Sequence, residues 1–281
     1  MLRDSEDARK IARRYGSCAV KSKRQKSSLA SLSDVRRIGL ARAVSKLGYC
    51  SRSQAVLLIR DGQVSLNGSV TRNPEAPVRL GRDRIQVQGQ ALAAAEKIYV
   101  MLNKPRGLVT TTADEKGRDT VYAALPPRMK RIPPVGRLDM ASEGLLLFTN
   151  DSEWAAKITD PRWHLDKTYH VQVAVVPEAR VLEAMQRGVQ TPAGEMLKAK
   201  RARILRSGRK NAWLEIVLDE GKNRHIRRML EALGLEVLRL VRVSIGPVQL
   251  GELARAGHRA LRSEEKIAMD RALRSSHVSR C

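Results

Sequence analysis

Residues 135–151 read VGRLDMASEGLLLFTND, and the way this string divides decides the architecture around it. Pro133, Pro134 and Gly136 fix its entry as a loop, because proline sets φ and glycine opens backbone conformations closed to other residues. Leu145, Leu146, Leu147 and Phe148 then run on as a buried strand. Asp139 therefore sits on a loop that a rigid strand supports. A lone aspartate in a loop usually caps or turns the chain, so Asp139 gains a chemical reading only from its surroundings.

Downstream, strand signals at Tyr169 to Val176, Trp213 to Leu218 and Val237 to Val243 alternate with helical patterns near Glu178 to Met185 and Arg224 to Leu233. Upstream, Ile98 to Leu102 opens the unit as a further strand. Hairpin-like pairs outnumber clean strand-helix-strand units, which predicts an α+β fold with a mainly antiparallel mixed sheet. Two basic runs, residues 198–203 and 206–210, flank an expected hairpin, where they either extend a polyanion track or stay solvated.

Before residue 97 the pattern changes. Ile38, Ala41, Val44 and Leu47 recur at helical spacing and stop at Gly48. Ser51 can cap a second helix with Ala55, Leu58 and Ile59 on its buried face, ended by Asp61 and Gly62. Val64 to Leu66, the turn Asn67-Gly68 and Val70 then make a hairpin. Residues 1–34, polar and rich in Lys, Arg and Ser, lack any periodicity and read as a basic, disordered arm. The expected organisation is an arm at 1–34, a small module at 35–90, a connector of Gln88 to Glu96, a larger domain at 97–265 and a tail at 266–281.

Lys and Arg number 53 against 29 acidic residues, a formal charge of +24, which points to a polyanionic partner rather than a small metabolite. Aromatic residues make up only 3% of the chain, with one phenylalanine, so recognition must lean on charge and shape more than on stacking of many single-stranded bases. Cys18, Cys50 and Cys281 form no C-x-x-C pair and the histidines have no metal-site spacing, which predicts a reducing cytoplasm and no structural zinc. No apolar run approaches a membrane span. The absence of a helix-turn-helix, zinc finger or basic zipper counts against a DNA-binding protein. The absence of a Gly-x-Gly-x-x-Gly fingerprint or phosphate loop counts against a nucleotide-cofactor enzyme.

The segment LARAVSKLGYCSRSQAVLLIRDGQVSLNG (40–68) resembles the small alpha-L RNA-binding module first seen in a small-subunit ribosomal protein. On that module Arg42, Lys46, Arg52 and Arg60 are expected to meet phosphates of folded RNA, the alternative being a solvated basic face. The string at 135–151 resembles the catalytic-loop motif of pseudouridine synthases, in the branch that acts on ribosomal RNA behind such a module. LNKPRGLVTT (102–111) and DEKGRDTV (114–121) precede it in the family's order. DKTYHVQV (166–173), DEGKNRHIRRMLEALG (219–234) and LVRVSIGPVQLGEL (240–253) follow. The resemblance thus extends from about Ile38 to Ser263.

It implies cofactor-free isomerisation of a uridine in structured ribosomal RNA, with the large subunit favoured and a monomer as the default. Asp139 takes the place of the essential aspartate, suited either to attacking the ribose or to removing its proton. Arg227 is its expected guanidinium partner, with Arg224 and Arg228 as rivals on a helix beginning near Asn223. Tyr169 matches the tyrosine that stacks on the flipped base, and Arg137 the residue that fills the gap it leaves. The strand ending in Ile245 should wall the base. Lys104, Arg106, Lys167, Lys222, Arg224 and Arg228 are assigned to the RNA. Where the family commonly has His-Pro before the tyrosine strand, this chain has Asp160-Pro161. A non-catalytic ribosome-assembly factor would fit the charge and the module equally, but intact Asp139, Tyr169 and Arg227 argue against a dead enzyme.

Overall fold

A computed structural model describes residues 37–93, 96–112, 114–130 and 132–278, without the side chains of 276–278. The arm expected at 1–34 lies outside the described residues. From Ile38 onward the described residues form one compact unit.

The first helix, Leu40–Lys46 (α1), starts two residues later than its periodicity suggests. Ile38 and Gly39 instead pair with Val78 and Pro77 as a short two-stranded ribbon. The second helix, Arg52–Arg60 (α2), opens on a capping box. Ser51 Oγ accepts from the Gln54 amide, and the Gln54 side chain accepts from the Ser51 amide, which satisfies two otherwise orphaned donors. Val64–Leu66 (β1) and Ser69–Val70 (β2) turn through Asn67, whose φ of 53° suits asparagine, and Ile85–Val87 (β3) pairs with β1. Leu40, Val44, Ile59, Val64, Val78 and Val87 close a core between helices and strands. Each such side chain contributes ~2 kcal/mol on leaving water. Gln90–Ala91 adds a fourth strand here, so the residues expected as a bare connector begin as part of the module.

The larger domain is built on one nine-stranded sheet. Its strands are Tyr99–Lys104 (β4), Glu143–Thr149 (β5), Lys167–Val173 (β6), Arg201–Ser207 (β7), Ala212–Leu218 (β8), Val237–Ile245 (β9) and His258–Ala260 (β10). They lie in the order β7-β8-β6-β9-β5-β4-β10, with two short strands off this path. Every named neighbour pair is antiparallel except β9 with β5, whose two-residue parallel register sets Arg242 beside Gly144. The sheet is therefore mixed and mainly antiparallel, as the hairpin-rich pattern predicts.

Helices Ser152–Thr159 (α3), Ala179–Arg187 (α4), His225–Ala232 (α5) and Ser263–Val278 (α6) cover it. Along β6, Tyr169, Val171 and Val173 alternate with Thr168, His170 and Gln172, so the two sets point to opposite faces. One face receives α4 and α5 through Met185, Ile226, Met229 and Leu230. The other receives α3 and α6, where Trp154, Ile158, Met269 and Leu273 pack on Leu145, Leu147 and Ile245. Residues 266–281, expected as a tail, thus include most of a core helix, because Met269 and Leu273 are an i, i+4 pair on its inner side. An ion pair from Lys46 of α1 to Glu153 of α3 links the small module to the large domain.

Candidate active site

Asp139 lies on the loop between Pro134–Val135 and β5, and its position is set by main-chain bonding more than by its own side chain. Leu138 O accepts from Thr110 Oγ1 at 2.6 Å. Asp139 O accepts from the Ser142 amide at 2.9 Å and from Lys104 Nζ at 3.1 Å. Met140 O accepts from the Gly107 amide at 2.8 Å. Ala141 O accepts from Arg227 Nη2 at 3.0 Å, and Ser142 O from Lys104 Nζ at 2.8 Å. Each carbonyl from 138 to 142 therefore has a donor, and most of the donors come from residues 104–110. The LNKPRGLVTT motif is the cradle of the aspartate loop. Leu138 is buried beside Val100, Leu102, Leu146 and Phe148, which anchors the same loop apolarly.

Two glycines permit this path. Gly136 has φ +72°, and Gly144, at the head of β5, has φ +103°. A Cβ on Gly144 would fall 2.3 Å from Arg242 O, so the parallel pairing of β5 with β9 requires glycine there.

Lys104 is fully buried, with its ammonium shared among Pro105 O, Asp139 O and Ser142 O. Burial lowers its pKa from 10.5 to about 8, against the opposing pull of Asp139 and Glu143. The assignment of Lys104 to RNA is therefore corrected: no phosphate reaches it, and its role is to hold the loop. Lys167, also given to RNA, is buried at the start of β6 and its pKa is lowered by desolvation and then by Arg242. Ile245 is only 2% exposed within the core that contains Leu165 and Met269, so it supports the strand and offers no wall to a base.

Arg227 is half-buried on α5, its pKa lowered first by burial and then by Arg224, with Asp139 opposing. Its guanidinium senses the Asp139 charge and ties the loop at Ala141. Its rivals are placed differently. Arg224 is the N-cap of α5 with a left-handed φ of 47°, and its carbonyl accepts from the Arg228 amide at 2.9 Å, one helical turn on. Arg228 pairs with Glu195, which also draws Lys222 at 3.6 Å. Among the described residues no hydrogen bond reaches the Asp139 carboxylate.

Tyr169 is half-buried between the α4/α5 core and the cluster around Leu138. It faces the loop's side of the sheet, with Arg242 as its cross-strand neighbour. Arg242 was not singled out from the sequence. It is buried, its Nε donates to Leu145 O at 2.8 Å, and its Nη2 has no hydrogen-bond partner among the described residues. Arg137 and Arg106 are exposed beside the loop. On the small module Arg42 and Arg60 are exposed, and Arg52 remains open despite a 3.3 Å pair with Glu75. Lys46 is engaged by Glu153 and largely covered, which removes it from the phosphate set. No cluster of three His, Cys, Asp or Glu among the described residues is placed to hold a metal ion.

A basic two-helix module linked to a mixed sheet, whose braced loop carries a carboxylate and is tied to a half-buried arginine, defines an RNA-acting enzyme. The model of the RNA pseudouridylate synthase family matches residues 98–232, and that of the S4 domain matches residues 38–85. The chain is 38% identical over 205 residues to the ribosomal large subunit pseudouridine synthase B of Bacillus subtilis, covering 72% of this chain and 83% of that protein. It is 36% identical over 238 residues to an RNA pseudouridine synthase of Aquifex aeolicus, covering 84% and 95%. A crystal structure of a pseudouridylate synthase superimposes with a TM-score of 0.59 at 30% identity, covering 83% of this chain and 99% of that one. The chain belongs to the RNA pseudouridine synthase family, behind an S4 RNA-binding domain.

Proposed function

We propose that this enzyme converts one uridine of structured large-subunit ribosomal RNA to pseudouridine, with Asp139 as the catalytic carboxylate. The observation that carries the reading is the carbonyl-by-carbonyl bracing of residues 138–142, which holds one carboxylate, reached by no hydrogen bond among the described residues, within electrostatic reach of the half-buried Arg227 guanidinium. The Bacillus subtilis relative supports the substrate.

In the reaction the bond from ribose C1′ to uracil N1 breaks, the base turns, and C1′ bonds to C5. N1 gains a proton and C5 loses one, so atoms balance with no redox change. A carboxylate suits either attack at C1′ or removal of a ribose proton, and Arg227 holds the loop that carries it. The target base must leave its stack, at a cost of a few kcal/mol. Tyr169 offers it a ring face, and exposed Arg137 fills the space left in the RNA. Arg42, Arg52, Arg60 and Arg106 contact phosphates.

The test incubates the protein, and Asp139→Asn alongside, with unmodified ribosomal RNA of each subunit. Pseudouridine is then mapped by carbodiimide labelling and primer extension. One Asp139-dependent stop in large-subunit RNA is expected. Residual activity of Asp139→Asn would remove the aspartate from the chemistry, and a stop confined to small-subunit RNA would overturn the substrate.

A further inference from the structure

The helices leave part of the sheet bare. Opposite the aspartate loop, α3 and α6 cover the β4, β5 and β9 end, but no helix among the described residues lies on the β7-β8-β6 half of that face. The registers align its side chains in cross-strand rows. Arg206, Trp213, Gln172 and Arg239 form one row across β7, β8, β6 and β9, and Arg203, Glu215, His170 and Val241 form the next. The guanidinium carbons of Arg206 and Arg239 lie 5.3 and 5.7 Å from the centre of the Trp213 ring. A depression of about 300 Å³ opens there, lined by His170, Leu205, Arg206, Trp213 and Val241, and a second of about 530 Å³ shares His170 with it and is lined also by Thr168, Glu215, Ser244 and Gln249.

We propose that this bare face is a second RNA-contact surface, separate from the catalytic cleft, which takes an unpaired nucleotide on the Trp213 platform and flanking phosphates on the hairpin arginines. Charge selects the partner. Glu215 is satisfied by Arg203 at 2.8 Å and Arg201 at 3.7 Å, and Arg239 is paired with Glu143 at 3.0 Å, whereas Arg206 faces no carboxylate among the described residues and exposed Arg209 and Lys210 extend the charge at the turn. An indole flanked by guanidinium planes suits a base with its phosphates, because stacking and cation–π attraction act together there. The surface also gives the basic run at 206–210 a purpose, since it spans the end of β7 and the turn that follows. This inference rests on ribosomal RNA being the substrate.

The test uses the full-length protein and two RNAs, the complete unmodified large-subunit transcript and the minimal stem-loop around the mapped uridine. Two variants avoid the cleft: Trp213→Leu, and the exposed pair Arg206→Glu with Arg209→Glu, which keeps the test valid if the first is poorly folded. Each is expected to weaken binding of the long transcript about tenfold, in line with the stacking and phosphate contributions of such platforms. Stem-loop affinity and kcat at saturating RNA stay at the parent's values. Unchanged affinity for the long transcript overturns the proposal, as does equal loss on the stem-loop. Failure of the parent to bind either RNA would instead sink the substrate reading, and is visible without any variant.

Discussion

Replacing Lys104 with Met tests whether a buried ammonium builds the active site. The substitution keeps the length and apolar stem of the side chain but removes donors from Pro105 O, Asp139 O and Ser142 O, now 3.1, 3.1 and 2.8 Å from Nζ. Charge-assisted bonds of this kind are worth roughly 1.5–3 kcal/mol each, so about 4–9 kcal/mol of bonding is lost. Relief of the desolvation that lowers the pKa from 10.5 to about 8 returns roughly 3 kcal/mol at about 1.4 kcal/mol per unit. The net loss is about 3 kcal/mol, which for a chain of this size lowers Tm by roughly 6–12 °C. Calorimetry and single-turnover pseudouridine formation should show the lower Tm and a fall in rate at saturating RNA. RNA affinity should stay near that of the parent. Between pH 8 and 10.5 the unfolded parent binds more protons at Lys104 than the folded one, so this group makes stability rise with pH there. The variant lacks that slope. A Tm within 2 °C of the parent, with weakened RNA binding and normal turnover, would return Lys104 to the RNA and refute the bracing argument.

Gly144→Ala should cost roughly 3 kcal/mol or more in urea unfolding, since its φ of +103° and the 2.3 Å approach to Arg242 O leave no room for a Cβ. A loss under 1 kcal/mol would mean that the β5–β9 junction can open. Met269→Ala removes a fully buried side chain of α6 and should destabilise by about 2–4 kcal/mol; a neutral result would show that α6 is dispensable. Replacing Arg42, Arg52 and Arg60 together with Gln should flatten the salt dependence of RNA binding by roughly two log units per decade of salt, at 0.7–0.9 per phosphate contact, with turnover at saturation intact. An unchanged slope would leave these arginines solvated.

Much of the fold can be read from local chemistry. Ser51 with Gln54, the Asn67-Gly68 turn and the run Leu145 to Phe148 each impose a conformation through their own side chains, and the structure places a cap, a hairpin and a central strand there. Residue direction is harder to read. Lys104 lies at the end of an apolar strand, and only the tertiary path of the loop that crosses it turns a basic residue inward. Lys167 and Ile245 are neighbours in register on β6 and β9, so one packing environment buries both the expected RNA contact and the expected base contact. Helix α6 carries too few apolar residues for its pattern to stand out, because only Met269 and Leu273 need to face the sheet. Asp139 and Arg227 could be named from motif strings, yet their relation runs through Ala141 O, a backbone atom that no side-chain pattern reports. Arg242 escaped notice because a charged residue in a strand ordinarily marks the wet face.

The filled carbonyls of residues 138–142 also bear on the entropy of catalysis. A loop whose acceptors are already matched has little conformational freedom left to lose when RNA arrives. Contacts to the RNA can then be directed wholly at extruding the base. Such a site is complete before its substrate: the amides of Gly107 and Ser142, which close the loop from two sides, should exchange with solvent as slowly in the free enzyme as in the complex. The motion of the reaction then belongs to the nucleic acid, and the protein acts as the fixed frame through which the uridine turns.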